Sequence, residues 1–313
     1  MKKGFTLAEV LITLAIIGIV AAITIPSLMA DVNQKAFDNQ RKTLHSRLAN
    51  ALTAMDRLSG YGVYDKTDPE DVKDTAAESF LVDGLSKVYK IRNICDKDHF
   101  AKCGVNESFS TINGDTKNMP KNLNGLFVGY LAMDTINAMA FETNNGESIV
   151  LYYNPKCENK IIPTSSHRSI MGRVTCANFI YDLNGPKAPN MMGKDMGFIT
   201  AFYKEEPVVV APMLDEKSIT GKTASSLNAA DICDELGSDY RLPTMEEAIA
   251  AFLNQHYMGT VVENSPNYFW TSDITKAGNQ DGKAVAVMGS IGYMAYVKTA
   301  PRSDQNSILC IKR

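Results

Sequence analysis

Val10 through Ala30 carry no charge, and beyond them apolar residues return on one side only. The first pattern, apolar on every face, predicts a helix able to cross a bilayer, because about 20 such residues span the hydrocarbon layer. The second lies in DVNQKAFDNQRKTLHSRLANALTAMDRLSG. There Phe37, Leu44, Leu48, Leu52, Met55 and Leu58 recur at helical spacing, while Lys, Arg, Asp and Gln fill much of the opposite side, His45 among them. Pro26 falls between the two, and a membrane helix tolerates proline by bending there. The spacing therefore predicts one helix over residues 5–59, membrane-spanning to about residue 30 and roughly 80 Å long at 1.5 Å per residue. Gly60 is its expected stop. The heptad signal is too short and irregular to favour a free coiled coil.

Past Gly60 the pattern breaks into shorter pieces. TDPEDVKDTAAESFLVDGLSKVYKI reads as helix to Leu85, with Asp68 as cap and Pro69 in the first turn. AMAFETNNGESIVLYYN places two apolar runs around Asn145-Gly146, a hairpin-turn signal. CANFIYDLNGPKAPN and GFITAFYKEEPVVVAP supply two more strands. A short helix follows, with Ala229, Ile232, Cys233 and Leu236 on its apolar side and Gly237 ending it. Thr244 and Glu247 then form the two halves of a capping box for another helix. NYFWTSD, KAVAVMGSIGYMAYV and SILCIKR read as strands, with Trp270 as a core residue. The polar stretch APMLDEKSITGKTASS divides a middle region, 61–215, from a C-terminal one, 216–313. The expected class is α+β: a long N-terminal helix packed on an antiparallel sheet, then a second α+β unit.

Composition adds exclusions. At 45% apolar, 21% charged and a net charge of −3, the chain is a folded protein without the clustered basic surface that nucleic-acid binding requires. It has no G-x-S-x-G, H-E-x-x-H or P-loop, and its four histidines, His45, His99, His167 and His256, are far apart, so no enzyme reading is favoured. All 6 cysteines follow the apolar stretch, which in an exported region points to disulfides. Sequential pairing is the simplest arrangement: Cys95–Cys103, Cys157–Cys176 and Cys233–Cys310. Sequence alone leaves the other connectivities open, Cys310 to Cys176 among them. CDKDHFAKC also offers Cys95, His99 and Cys103 to zinc, but no second pair follows at zinc-finger spacing. In YDLNGPKAPNMMGKD, Asp182, Asn184 and Asp195 are oxygen donors between turn glycines, the chemistry that calcium takes. The competing reading is a network of Asx turns that orders the loop with no metal.

Two resemblances sharpen this. MKKGFTLAEVLITLAIIGIVAAITIPSLMA resembles the leader shared by type IV pilins and the pseudopilins of type II secretion. The resemblance implies a leader of residues 1–4, cut by prepilin peptidase after Gly4, with methylation of Phe5. It places the family's filament-register glutamate at Glu9 and its helix-kinking proline at Pro26. It implies a single-pass protein of the inner membrane, N-terminus in the cytoplasm and globular part outside, whose partners are other pilin or pseudopilin subunits and the inner-membrane assembly platform. Some major pseudopilins bind calcium in a loop, which is the other source of the calcium expectation; no other cofactor is implied. The run Ala230, Cys233, Leu236-Gly237, Arg241-Leu242-Pro243-Thr244, Glu247, with Tyr268 to Ser272 and the closing Leu309 to Arg313, resembles the lectin-like Fibrobacter major paralogous domains and related domains of bacterial surface proteins. That implies a C-type-lectin-like fold whose first helix is bridged to its last strand, Cys233 to Cys310. Residues 225–313 would then form a self-contained binding module for a surface glycan or protein; the resemblance does not itself imply sugar binding, because the calcium-lectin E-P-N or Q-P-D loop is absent. The combined expectation is a minor pilin or pseudopilin; the alternative is an anchored surface binding protein that uses the same export route without polymerising.

Overall fold

The computed structural model describes residues 6–59, 76–122, 137–155, 157, 175–203, 207–225, 228–254, 267–275, 283–290, 294–300 and 306–312. By contacts the chain divides into two units, Met1–Leu44 and His45–Arg313.

The first unit is helical. Helix α1, Leu7–Ser59, begins in it and continues through Pro26. Leu7–Ile25 is apolar enough to cross a membrane, with a mean hydropathy of 2.5, and none of that stretch is buried within the protein. Thr13 and Thr24 turn their hydroxyls back onto the helix, donating to Glu9 O and Val20 O at 2.9 Å, so neither presents an unpaired hydroxyl to lipid. The expected stop at Gly60 lies outside the described residues, as do Asp68 and Pro69.

The second unit takes the rest of α1, where Leu48, Ala51, Leu52 and Met55 are buried, three to four residues apart as the stripe required. A second helical segment follows: Ala76–Ser79, then Phe80–Leu85 wound as π-helix, then Ser86–Val88. The main sheet has six strands: β1 (Ile91–Cys95), β4 (Met139–Thr143), β5 (Ser148–Tyr153), β6 (Thr175–Asp182), β7 (Met196–Tyr203) and β8 (Pro207–Val210). They lie in that order and every neighbouring pair is antiparallel. A hairpin of β2 (Ser108–Ser110) and β3 (Thr116–Asn118) falls between β1 and β4 in the chain.

Every residue of β5 and β6 is buried, so both faces of the sheet are covered. Tyr153 on one face stacks on Phe80 of the second helical segment, ring centroids 4.5 Å apart. On the other face Val150, Tyr152, Ile180, Phe198 and Phe202 belong to a core cluster that also holds Ala248, Ile249, Ala251 and Leu253 from the C-terminal region. Those four residues lie on the helix Met245–Leu253, capped by the Thr244–Glu247 box. Buried Asn178 of β6 and Asn254 exchange reciprocal side-chain hydrogen bonds, 3.1 and 3.3 Å, and Thr200 Oγ1 donates to Asn178 Oδ1. A helix of the C-terminal region thus packs on the β7–β8 end of one face of the middle sheet, where Val105, Phe109 and Met119 belong to the same core, and a buried polar pair fixes how it sits there.

The rest of the C-terminal region is the helix Ala229–Leu236 and a five-stranded sheet ordered β13 (Met294–Ala300), β12 (Lys283–Ser290), β11 (Asn267–Thr275), β14 (Asn306–Leu309), β9 (Ile219–Ala224). Pairing is antiparallel except between β11 and β14. A short pair, β10 (Tyr240–Arg241) with β15 (Ile311–Lys312), closes it. A second, smaller core gathers Ala229, Cys233, Tyr240, Trp270, Ile308 and Cys310. Trp270 is fully buried and its indole donates to Ala224 O at 2.7 Å, satisfying the only polar atom of that side chain. The architecture is α+β with mainly antiparallel sheets.

Candidate functional site

The N-terminal span is the first candidate. Gly4 and Phe5 lie outside the described residues. Glu9 stands in the first turn of α1, where Glu9 N bonds Thr6 Oγ1 at 3.3 Å. In return Glu9 Oε2 accepts from Thr6 N and from Thr6 Oγ1, both at 2.8 Å. This reciprocal arrangement is a capping box in substance. It holds the carboxylate over the helix start, where positive partial charge and unpaired N–H groups gather. A carboxylate at membrane depth is expensive unless partnered. Behind it Leu11, Ile12, Leu14, Ile16, Ile17, Ile19, Val20 and Ile23 are all exposed, each by at least half of its surface. The helix thus presents an apolar cylinder with one acid at its start.

The second candidate is the loop between β6 and β7. It is built around carboxylates that sequence singled out and partners that it did not. Asp195 is fully buried and accepts from Asn190 N and Met191 N, one on each oxygen, both at 2.9 Å. Asp182, 5% exposed, accepts from Asn184 N at 3.1 Å, an Asx turn. Asn184 spends its amide on Ala188 O at 3.2 Å. The loop in turn holds the β2–β3 hairpin, through Ser110 N to Asn190 O and Met192 N to Ser110 O, each 2.9 Å. Gly193, at φ +81°, lets the chain pass so close to Leu214 that a Cβ there would lie 2.9 Å from its carbonyl oxygen.

Ser148, directly opposite Asp182 in the β5–β6 register, is 2% exposed. Its hydroxyl has no hydrogen-bond partner and shares with Asp182 a small cavity with room for about one water. Burial, reinforced by the charge of Asp195, pushes the Asp182 carboxyl up to about 8, against the pull of the Asn184 and Gly185 N–H groups. Such a group favours the folded state fully below its unfolded value near 3.8, and that contribution is lost as the pH rises through about 8. The melting temperature of the full-length chain in detergent should therefore fall from pH 5 to pH 8. Asp182→Asn should flatten that fall, and parallel profiles for the two proteins would refute the assignment.

The remaining expectations are placed as follows. The three disulfides are Cys95–Cys103, Cys157–Cys176 and Cys233–Cys310, with Cα atoms 6.1, 4.9 and 5.5 Å apart. The zinc reading of CDKDHFAKC fails because both thiols are joined to each other, and His99 instead bonds Asp96 at 2.8 Å. His45 is not on a solvated face: it is half-buried, and its Nε2 lies 3.1 Å from Val209 O on β8. His167 and His256 lie outside the described residues. Sequence reasoning also missed an ion pair between half-buried Arg47 and buried Glu147, in which Glu147 additionally accepts from Thr143 Oγ1.

Among known families, residues 1–25 match the prokaryotic N-terminal methylation motif. No curated protein matches the chain. The matched motif, with the exposed apolar helix Leu7–Ile25 inside it, marks a prepilin-processed, pilin-like protein, is consistent with a membrane anchor, and points to a structural role.

Proposed function

We propose that the chain is a minor pilin or pseudopilin: a subunit of a filament of the type II secretion or type IV pilus kind. Prepilin peptidase cuts between Gly4 and Phe5, Phe5 is methylated, and the inner-membrane assembly platform stacks the hydrophobic helices of successive subunits. Glu9 sets the axial register by pairing with a neighbour's new amino group, and Pro26 bends the helix to the packing. The globular part stands outside the membrane. Residues 216–313 carry a lectin-like surface for a glycan or protein ligand, added to a pilin-like core of residues 61–215, and bulk of that kind suits a tip or a low density along the shaft.

One observation carries this reading: an exposed apolar helix, Leu7–Ile25, that makes up most of the methylation motif at residues 1–25. An exposed apolar surface of this extent needs lipid or other copies of itself to cover it. The test introduces single cysteines along Ile12–Ile23 and crosslinks the protein in membranes. A ladder of multimers is expected, and Glu9→Ala should abolish the ladder while leaving membrane insertion intact. Monomer alone from every position would replace the filament reading by that of a non-polymerising anchored binding protein. A ladder undiminished by Glu9→Ala would remove the register role.

A further inference from the structure

The calcium expectation rests on the oxygen donors of the β6–β7 loop, and the structure shows how those oxygens are used. Both oxygens of Asp195 accept backbone N–H groups, and Asp182 Oδ1 accepts another. Asp182 Oδ2 faces a different atom. One end of the Asn190 carboxamide lies 3.0 Å from Asp182 Oδ2, 3.2 Å from Gly185 O and 3.1 Å from Lys187 O. The Gly185 and Lys187 carbonyl oxygens can only accept, so that end is the nitrogen, whose two N–H bonds serve the group. Asn190 is held in this position by its backbone. It adopts φ +50°, which asparagine tolerates better than most residues, its N–H is bound by Asp195 and its carbonyl by Ser110 N.

A hard cation binds by gathering carboxylate, carboxamide and main-chain oxygens around one point. Here Asp182, Gly185 and Lys187 gather such oxygens, and the point they surround holds an amide nitrogen of the same chain. We propose that the Asn190 side chain is a built-in substitute for a metal ion, so that this loop takes its folded form independently of calcium. The loop would then differ from the calcium-binding loops of the major pseudopilins, and the β2–β3 hairpin that hangs on it would keep its place in a chelating environment. The inference concerns the globular part and holds whether or not the chain polymerises.

Hydrogen exchange of the full-length chain in detergent, read by mass spectrometry over residues 183–196, tests it. Exchange in the wild-type loop should be equal in millimolar calcium and in EDTA. Asn190→Ala removes the donor and should speed exchange in the loop about tenfold under both conditions, the expectation for leaving its buried acceptors without a hydrogen bond. Slower wild-type exchange in calcium would overturn the proposal and assign the oxygens to a cation. So would wild-type exchange rates in Asn190→Ala. If Asn190→Ala does not fold, the comparison of the wild type with and without calcium still decides.

Discussion

A chain ended after Asp215 should not fold. The cut spares the six strands of the main sheet and all of α1, so a modular arrangement would leave the pilin-like part intact. Yet it removes Met245–Leu253, which packs on β7 and β8 in the core cluster that holds Phe198 and Phe202, with Val208 and Val210 at its edge. Each large side chain so uncovered forfeits about 1.5–3 kcal/mol of burial, and the sum is comparable with the whole net stability of a domain, about 5–15 kcal/mol. Asn178 loses Asn254 as well, so its amide nitrogen loses that acceptor while Thr200 still serves its oxygen. The reciprocal piece, residues 225–313, should bind a hydrophobic dye and resist purification as a monomer, because its second helix then exposes the same apolar side. Limited proteolysis and near-ultraviolet circular dichroism of the two pieces check this. A truncated 1–215 chain with native-like dichroism and protease resistance would show that the shared core is dispensable.

The reason this was hidden lies in the range over which each signal acts. Local signals were legible. Asn145-Gly146 closes the hairpin of β4 and β5, and Thr244 with Glu247 caps its helix, because those geometries are set by residues a few positions apart. The burial of α1 past residue 45 follows its stripe for the same reason. What faces what across long separations was not legible. MEEAIAAFL states a helix with little polar surface, and its buried Glu246, Ala248, Ile249, Ala250 and Ala251 lie on more than one side. That is the pattern of a helix enclosed by structure, and it was the available hint that a second unit lay against it. His45 sits next to the stripe, and only the position of β8 decides that its ring meets Val209 rather than water.

The β6–β7 loop divides in the same way. Asp182 and Asp195 stood out as oxygen donors between glycines, and both are at the centre of the loop. Ser148 comes from another element, and nothing in its own neighbourhood marks it. Asn190 could have been noticed, since an asparagine following proline in a glycine-rich turn is a residue suited to positive φ. The choice between a cation and an amide at the centre, however, depends on which atom points inward, a property of the assembled loop.

The largest single-site loss of stability is expected from the Cys233–Cys310 bridge. Both residues are fully buried in the small core around Trp270, and they tie the helix Ala229–Leu236 to the chain just after β14. The bridge closes 77 residues, so in the chain-entropy account it removes about 4–5 kcal/mol of unfolded-state freedom. The Cys95–Cys103 bridge closes 8 residues and on the same account is worth about 2–3 kcal/mol. Replacing each pair by alanine avoids leaving buried hydroxyls, and the two variants then differ chiefly in loop length. Denaturant titration of the full-length chain in detergent should place the midpoint of Cys233→Ala with Cys310→Ala well below that of Cys95→Ala with Cys103→Ala, and both below the wild type. The first variant should also expose Trp270, seen as a red-shifted emission at denaturant concentrations where the wild type is still native. If its midpoint matches the wild type, the bridge does not constrain the unfolded chain as proposed, and the C-terminal region is held in place by the shared core alone.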